Sequence, residues 1–150
     1  MKLAKGIGLL FCLVSLNSWG APLSILVFKS EAAPAYVGKI APPGTEITVY
    51  DMDAKARADR RLNLRVSEIV QSHYKHLPAK DGYTRAFSDL LNSAEWYDFN
   101  QALQVATEPV DKAMRHRIKK LPAYVFDHEY IIYGVPSLQK AMALYERNKP

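Results

Sequence analysis

Cysteine is almost missing: Cys12 is the only one in 150 residues. An intramolecular disulfide and a cysteine-rich zinc site are excluded by that count alone. Glycine is scarce at 7 residues, and 9 prolines are too few for a low-complexity or collagen-like chain. No phosphate-cradling glycine loop and no dinucleotide fingerprint occurs. Ser30 with Glu31 or His128 lacks the glycine frame of a hydrolase nucleophile elbow, so no catalytic residue is assigned. What remains is the composition of a globular protein, 49% hydrophobic and 23% charged, at the length of one domain.

The first twenty residues have the three zones of a secretory signal peptide. Lys2 and Lys5 form a positive start, Ile7–Leu16 an apolar stretch, and Ser18-Trp19-Gly20 a small-x-small site before Ala21. The apolar stretch is half of the ~20 residues that a bilayer-spanning helix needs. Cleavage and a periplasmic mature chain, residues 21–150, are therefore expected, with no membrane span left. A lipoprotein is disfavoured because Phe11 precedes Cys12, within the apolar stretch. Losing Lys2 and Lys5 leaves 18 basic against 15 acidic residues, a charge of +3, and removes the sole thiol. An exported chain without thiols has no means of thiol–disulfide exchange.

Periodicity divides the rest. Leu23–Phe28 reads as a buried strand, Ala32–Lys39 as a short helix with Pro34 in its first turn, and Glu46–Tyr50 as a second strand. Asp51 or Asp53 offers an N-cap to a helix over Ala54–His76, whose apolar face is Leu62, Val66, Ile69, Val70 and His73. Leu77-Pro78 and Asp81-Gly82 end it. A second helical stretch runs through Ala86, Leu90 and Ala94, breaks near Trp96, and continues to Ala106. Pro109 opens or kinks a further helix to Arg117. Ala123–Phe126 and Tyr130–Val135 form a hairpin about Asp127-His128-Glu129, and Ser137 caps a terminal helix. Two early strands in a parallel pair, followed by a late hairpin, predict an α/β fold: a mixed sheet flanked by helices, with an enlarged helical middle over residues 54–117.

The stretch Lys120-Leu121-Pro122-Ala123-Tyr124-Val125-Phe126-Asp127, followed by Tyr130-Ile131-Ile132-Tyr133-Gly134-Val135, resembles the second half of a thioredoxin fold. That resemblance implies a cis Leu121–Pro122 bond opening a strand, a tight hairpin, a return strand ending in glycine and a closing helix. Where redox members carry two cysteines, Ser30-Glu31-Ala32-Ala33 stands here, so fold is implied and redox activity is not. With Val49-Tyr50-Asp51-Met52-Asp53, the chain is similar to small exported proteins of integrating conjugative elements. That family looks related to thioredoxin-like pilus-assembly proteins of F-type conjugation systems. The resemblance implies a place in a conjugative, type IV secretion-like apparatus and defines no reaction.

Other constellations have plainer explanations. His73 and His76 are three apart on a helix, but lack a third metal ligand, and no metal or cofactor is expected. The run Arg115-His116-Arg117-Ile118-Lys119-Lys120 fits a helix C-terminus better than a nucleic-acid patch, given a charge of only +3. The basic residues from Lys55 to Arg65 make a solvated helix face. Trp96 is the only tryptophan after residue 20 and suits either core or interface.

The function expected is a non-catalytic component of the conjugation apparatus, contacting its other proteins and not DNA. The surface assigned to that contact is Ser30, Glu31, Tyr36, Pro122, Ala123 and Tyr124, with Ala123 offering backbone hydrogen bonds and the tyrosines acting as anchors. A periplasmic chaperone or peptide-binding module is the alternative. A redox or folding helper is disfavoured by the missing thiols.

Overall fold

The computed structural model describes residues 23–38 and 41–149; the signal-peptide expectation lies outside the described residues. Strands β1 (Ser24–Lys29) and β2 (Glu46–Asp51) are followed by helix α1 (Ala54–Ile69) and a π-helical turn over Val70–Tyr74. Helices α2 (Ala79–Leu91) and α3 (Glu95–Arg115), strands β3 (Ala123–Phe126) and β4 (Tyr130–Tyr133), and helix α4 (Leu138–Asn148) complete the order. The sheet runs β2-β1-β3-β4. β1 pairs with β2 in parallel and with β3 antiparallel, and β3 pairs with β4 antiparallel. This is the mixed α/β arrangement of a thioredoxin-like sheet, with the helical middle inserted between β2 and β3.

The central strands β1 and β3 carry apolar side chains on both faces, as strands covered from both sides must. On one face Ile25, Val27, Tyr124 and Phe126 pack under Leu138 and Ala141 of α4. On the other, Leu26, Phe28, Ala123 and Val125 meet Ala113 near the end of α3. Burying each such large side chain contributes roughly 1.5–3 kcal/mol. The Ser137 hydroxyl caps α4 by accepting the Lys140 N–H. The Leu121–Pro122 bond is cis.

Two expectations about local structure fail and a third is narrowed. No helix forms over the described part of Ala32–Lys39. Instead Tyr36 makes a β-bridge to Ser137, donating its N–H to the Pro136 carbonyl at 2.8 Å and accepting from Leu138 at 2.9 Å. Ala35 and Val37 are thereby laid onto the α4 side of the core. Of the two roles expected for Pro109, opening a helix is excluded, because it lies inside the 21-residue α3. Gly82 does not stop a helix but sits within α2, where a Cβ would come within 3.3 Å of the Tyr74 carbonyl. Its missing side chain lets α2 approach the π turn.

The π turn also redirects the helix face. It slips in an extra residue per turn, so Tyr74 packs onto the cluster of Val66, Val70, Ala86, Leu90 and Phe99. His73, expected on that face, is exposed.

Candidate functional site

At one end of the sheet, the end of β1 meets the start of β3. Phe28 is opposite Ala123, and the next step of that register sets Lys29 level with Pro122. Gly134 donates its N–H to the Pro122 carbonyl at 2.9 Å, which brings the end of β4 to the same place.

Beyond Lys29 the chain turns tightly. The Ser30 and Ala33 backbones exchange N–H···O bonds at 3.2 Å each, and the Ser30 hydroxyl accepts the Ala33 N–H at 3.1 Å. This turn is pinned from α1. The Asp53 carboxylate accepts the Glu31 N–H at 2.7 Å. Asp51 accepts the Asp53 N–H at 3.0 Å and the Arg57 guanidinium at 2.6 Å. The Arg57 hydrogen bond holds the Asp51 carboxyl below its usual range, against the opposing effect of burial. Arg57 also reaches Glu31 at 3.7 Å. Asp53 occupies the N-cap position of α1 without capping it by its side chain, because its carboxylate is spent on the loop.

Of the six residues assigned to the contact surface, four belong to this end and two need correcting. Ser30 and Pro122 are half-buried and Glu31 is exposed. Tyr36, at 75% exposure, is anchored by its backbone beside Pro136–Leu138. Tyr124 is wholly buried, facing the α4 side, and its hydroxyl has no partner among the described residues. It is a core residue and not an anchor. Ala123 is also fully buried and lies between Phe28 and Tyr133, with a strand on each side. Its backbone therefore presents no open edge.

Asp53 and Arg57, which hold the loop, were not picked out as site residues by sequence reasoning. The signal was present as Asp-x-Asp directly after a strand, where one carboxylate is more than a helix cap requires. Trp96 is half-buried, with its ring edge-on to Phe87 at 6.3 Å, and belongs to the helical cluster. The basic run closes α3 in a Schellman motif: Ile118 donates to Ala113 and Arg117 to Met114, with Arg117 left-handed at φ 53°. Ile118 then packs with Ala113 in the core, so the run includes an apolar latch.

Chemically, the sheet end offers an ordered loop, fixed charges and an exposed aromatic ring. Ser30's hydroxyl serves its own turn, and no base hydrogen-bonds to it. Among the described residues no three metal-ligating side chains converge, and no helix is long and apolar enough to cross a membrane.

The family model described as "Protein of unknown function (DUF1525)" matches residues 45–150. The match takes in β2, all four helices and the β3–β4 hairpin, and begins after β1 and its loop. No curated protein and no solved structure matches the chain.

Proposed function

The chain belongs to the DUF1525 family, and on that premise we propose that it is an exported, non-catalytic component of the DNA-transfer apparatus of an integrating conjugative element. It works by contact with other proteins of that apparatus, in the periplasm, and not by binding DNA. The contact surface is the sheet end built from Ser30, Glu31, Tyr36 and Pro122. One observation carries this reading: the loop is pinned in place by Asp53 and Arg57 while holding no reactive group. A surface ordered in advance loses little entropy when a partner docks. The motif around Leu121-Pro122-Ala123 and Tyr130–Val135, similar to exported conjugation proteins, supports the choice of apparatus.

The test is a donor strain in which Ser30→Lys and Glu31→Lys replace the loop residues. Glu31 is exposed, and half-buried Ser30 gives up only the hydrogen bond to Ala33 within its own turn, so the melting temperature falls by only a few degrees, about what 1 kcal/mol gives. Transfer of the element falls about tenfold or more, as loss of a binding hot spot predicts. A folded variant that transfers DNA at the normal frequency refutes the assigned surface. Dithiol-dependent reductase activity in the purified chain lacking residues 1–20 refutes the non-catalytic reading.

A further inference from the structure

β2 is an edge strand with β1 on one side and, among the described residues, no strand on the other. Glu46 and Met52 donate their N–H groups toward β1, to Leu23 and Lys29. In a parallel pair the backbone alternates sides, so Ile47, Val49 and Asp51 point their N–H and C=O groups outward. Such an edge templates a further strand unless it is blunted by a cation, proline or bulge. The strand Glu46-Ile47-Thr48-Val49-Tyr50-Asp51 has no proline, bulge or cation, and its charges stand only at the two ends, with Asp51 paired to Arg57.

Alongside this edge runs a groove of about 740 Å³ between β2 and α3. Its apolar part includes Tyr50 of β2 and Val105 of α3, the latter 71% exposed, while Val49 borders it by its backbone, its side chain being turned with that of Val27 to the α4 face. Pro109 has no N–H to give the Val105 carbonyl four residues back, which leaves an acceptor on the same helix face. The charged lining is Asp51, Asp98 and Glu108, with no cation among the described residues. Arg57 neutralises Asp51, whereas Asp98 and Glu108 have no ion-pair partner among the described residues. Two unpaired carboxylates at the ends of an otherwise uncharged groove are complementary to a cationic ligand.

We propose that this groove binds an extended segment of a partner protein, added as a fifth strand to the β2 edge, with basic side chains flanking an apolar one. The backbone of Ile47, Val49 and Asp51 supplies the main-chain bonds of strand addition. Alternate side chains of the incoming strand face α3. Asp98 and Glu108 are ten residues apart on that helix, roughly 15 Å at its rise. Four strand residues span about 13 Å, so the two cations belong at the ends of a Lys-x-Val-x-Lys pattern. A second copy of this chain is a poor occupant, because pairing two β2 edges sets acidic grooves against each other. The recognised feature is thus separate from the loop at the sheet end: it is read by backbone and charge.

The probe is the capped peptide Thr-Lys-Thr-Val-Thr-Lys-Thr, titrated into the isotope-labelled protein and followed by amide NMR shifts. Saturable shifts centred on Ile47, Val49 and Asp51, and on residues 98–109, are the expected result. Asp98→Asn with Glu108→Gln, both on exposed positions, weakens binding about tenfold. Val49→Pro abolishes it while the sheet persists, since the deleted N–H faces away from β1. The same peptide with glutamate for lysine does not bind. Absence of shifts at millimolar peptide, shifts centred elsewhere, or equal binding of the glutamate peptide overturns the proposal. So does concentration-dependent dimerisation that Val49→Pro removes.

Discussion

The sheet region and the helical region are held together in different ways. Of the eight largest fully buried side chains, Tyr124, Phe28, Phe126, Ile25, Leu138, Val27 and Val125 belong to the sheet and α4, and only Leu90 to the helical middle. The helical cluster has five buried members, Val66, Val70, Ala86, Leu90 and Phe99. Polar contacts at its surface tie the helices together: Arg65 reaches across to Glu95 at 2.8 Å, Arg61 lies 5.3 Å above the Phe99 ring, and Ser67 meets the Tyr83 hydroxyl at 3.0 Å. Such exposed contacts contribute little individually. The difference makes the sheet the more deeply buried frame, and predicts that the thinner helical layer opens before it.

Core truncations separate the two most sharply. Phe126→Ala costs about 3–5 kcal/mol and lowers the global melting transition. Leu90→Ala costs about 2–5 kcal/mol, but native-state hydrogen exchange shows the loss in α2 and α3, with β1 and β3 still protected. Equal loss of protection in β1 breaks the distinction. Arg117→Gly comes next. It replaces a left-handed non-glycine residue at the helix end and stabilises the protein by about 1 kcal/mol in chemical denaturation. Arg65→Ala has a smaller effect than any of these, and salt shrinks it further.

The smallest effect is pH-dependent and lies on the sheet side. His116 stacks on His128 at 5.5 Å and lies 6.4 Å from the Phe28 ring. Burial, with help from His128 and Lys112, lowers its pKa below the usual 6.5. The folded state thus favours the neutral ring while the unfolded chain protonates first. That contribution is intact above pH 6.5 and declines as pH falls from there through the lowered folded value. Denaturation midpoints measured from pH 7.5 down to about 5 fall less steeply for His116→Asn. An unchanged slope shows that another group governs it.

The same contrast explains what could be read from the sequence. Central strands are continuous apolar runs: Ala123–Phe126 matches its expected bounds, and β1 is displaced by one residue. Their parallel and antiparallel pairing followed from the order of elements, and the Ser137 cap from local chemistry. Helix faces were less legible, because the π turn shifts the register at Val70–Tyr74 and no composition signal marks it. Glycine misled at Gly82, where packing against Tyr74 overrides its usual role as a break, and for Pro109 local chemistry left opening and kinking open. At the site, Ser30, Glu31 and Pro122 were placed by motif order. Tyr124 was misplaced because strand alternation around a central sheet buries both faces. The loop's attachment to Asp53 and Arg57 spans more than twenty residues, and no local pattern encodes it.

In vivo photo-crosslinking compares the two regions as working surfaces. A photo-reactive amino acid is placed at Glu31 on the sheet end or at Tyr83 on α2, which is 48% exposed, in donor cells carrying the element. The account predicts a discrete adduct from position 31, containing a protein encoded in the same conjugation module, and none from position 83. An adduct from position 83 with none from position 31 contradicts it.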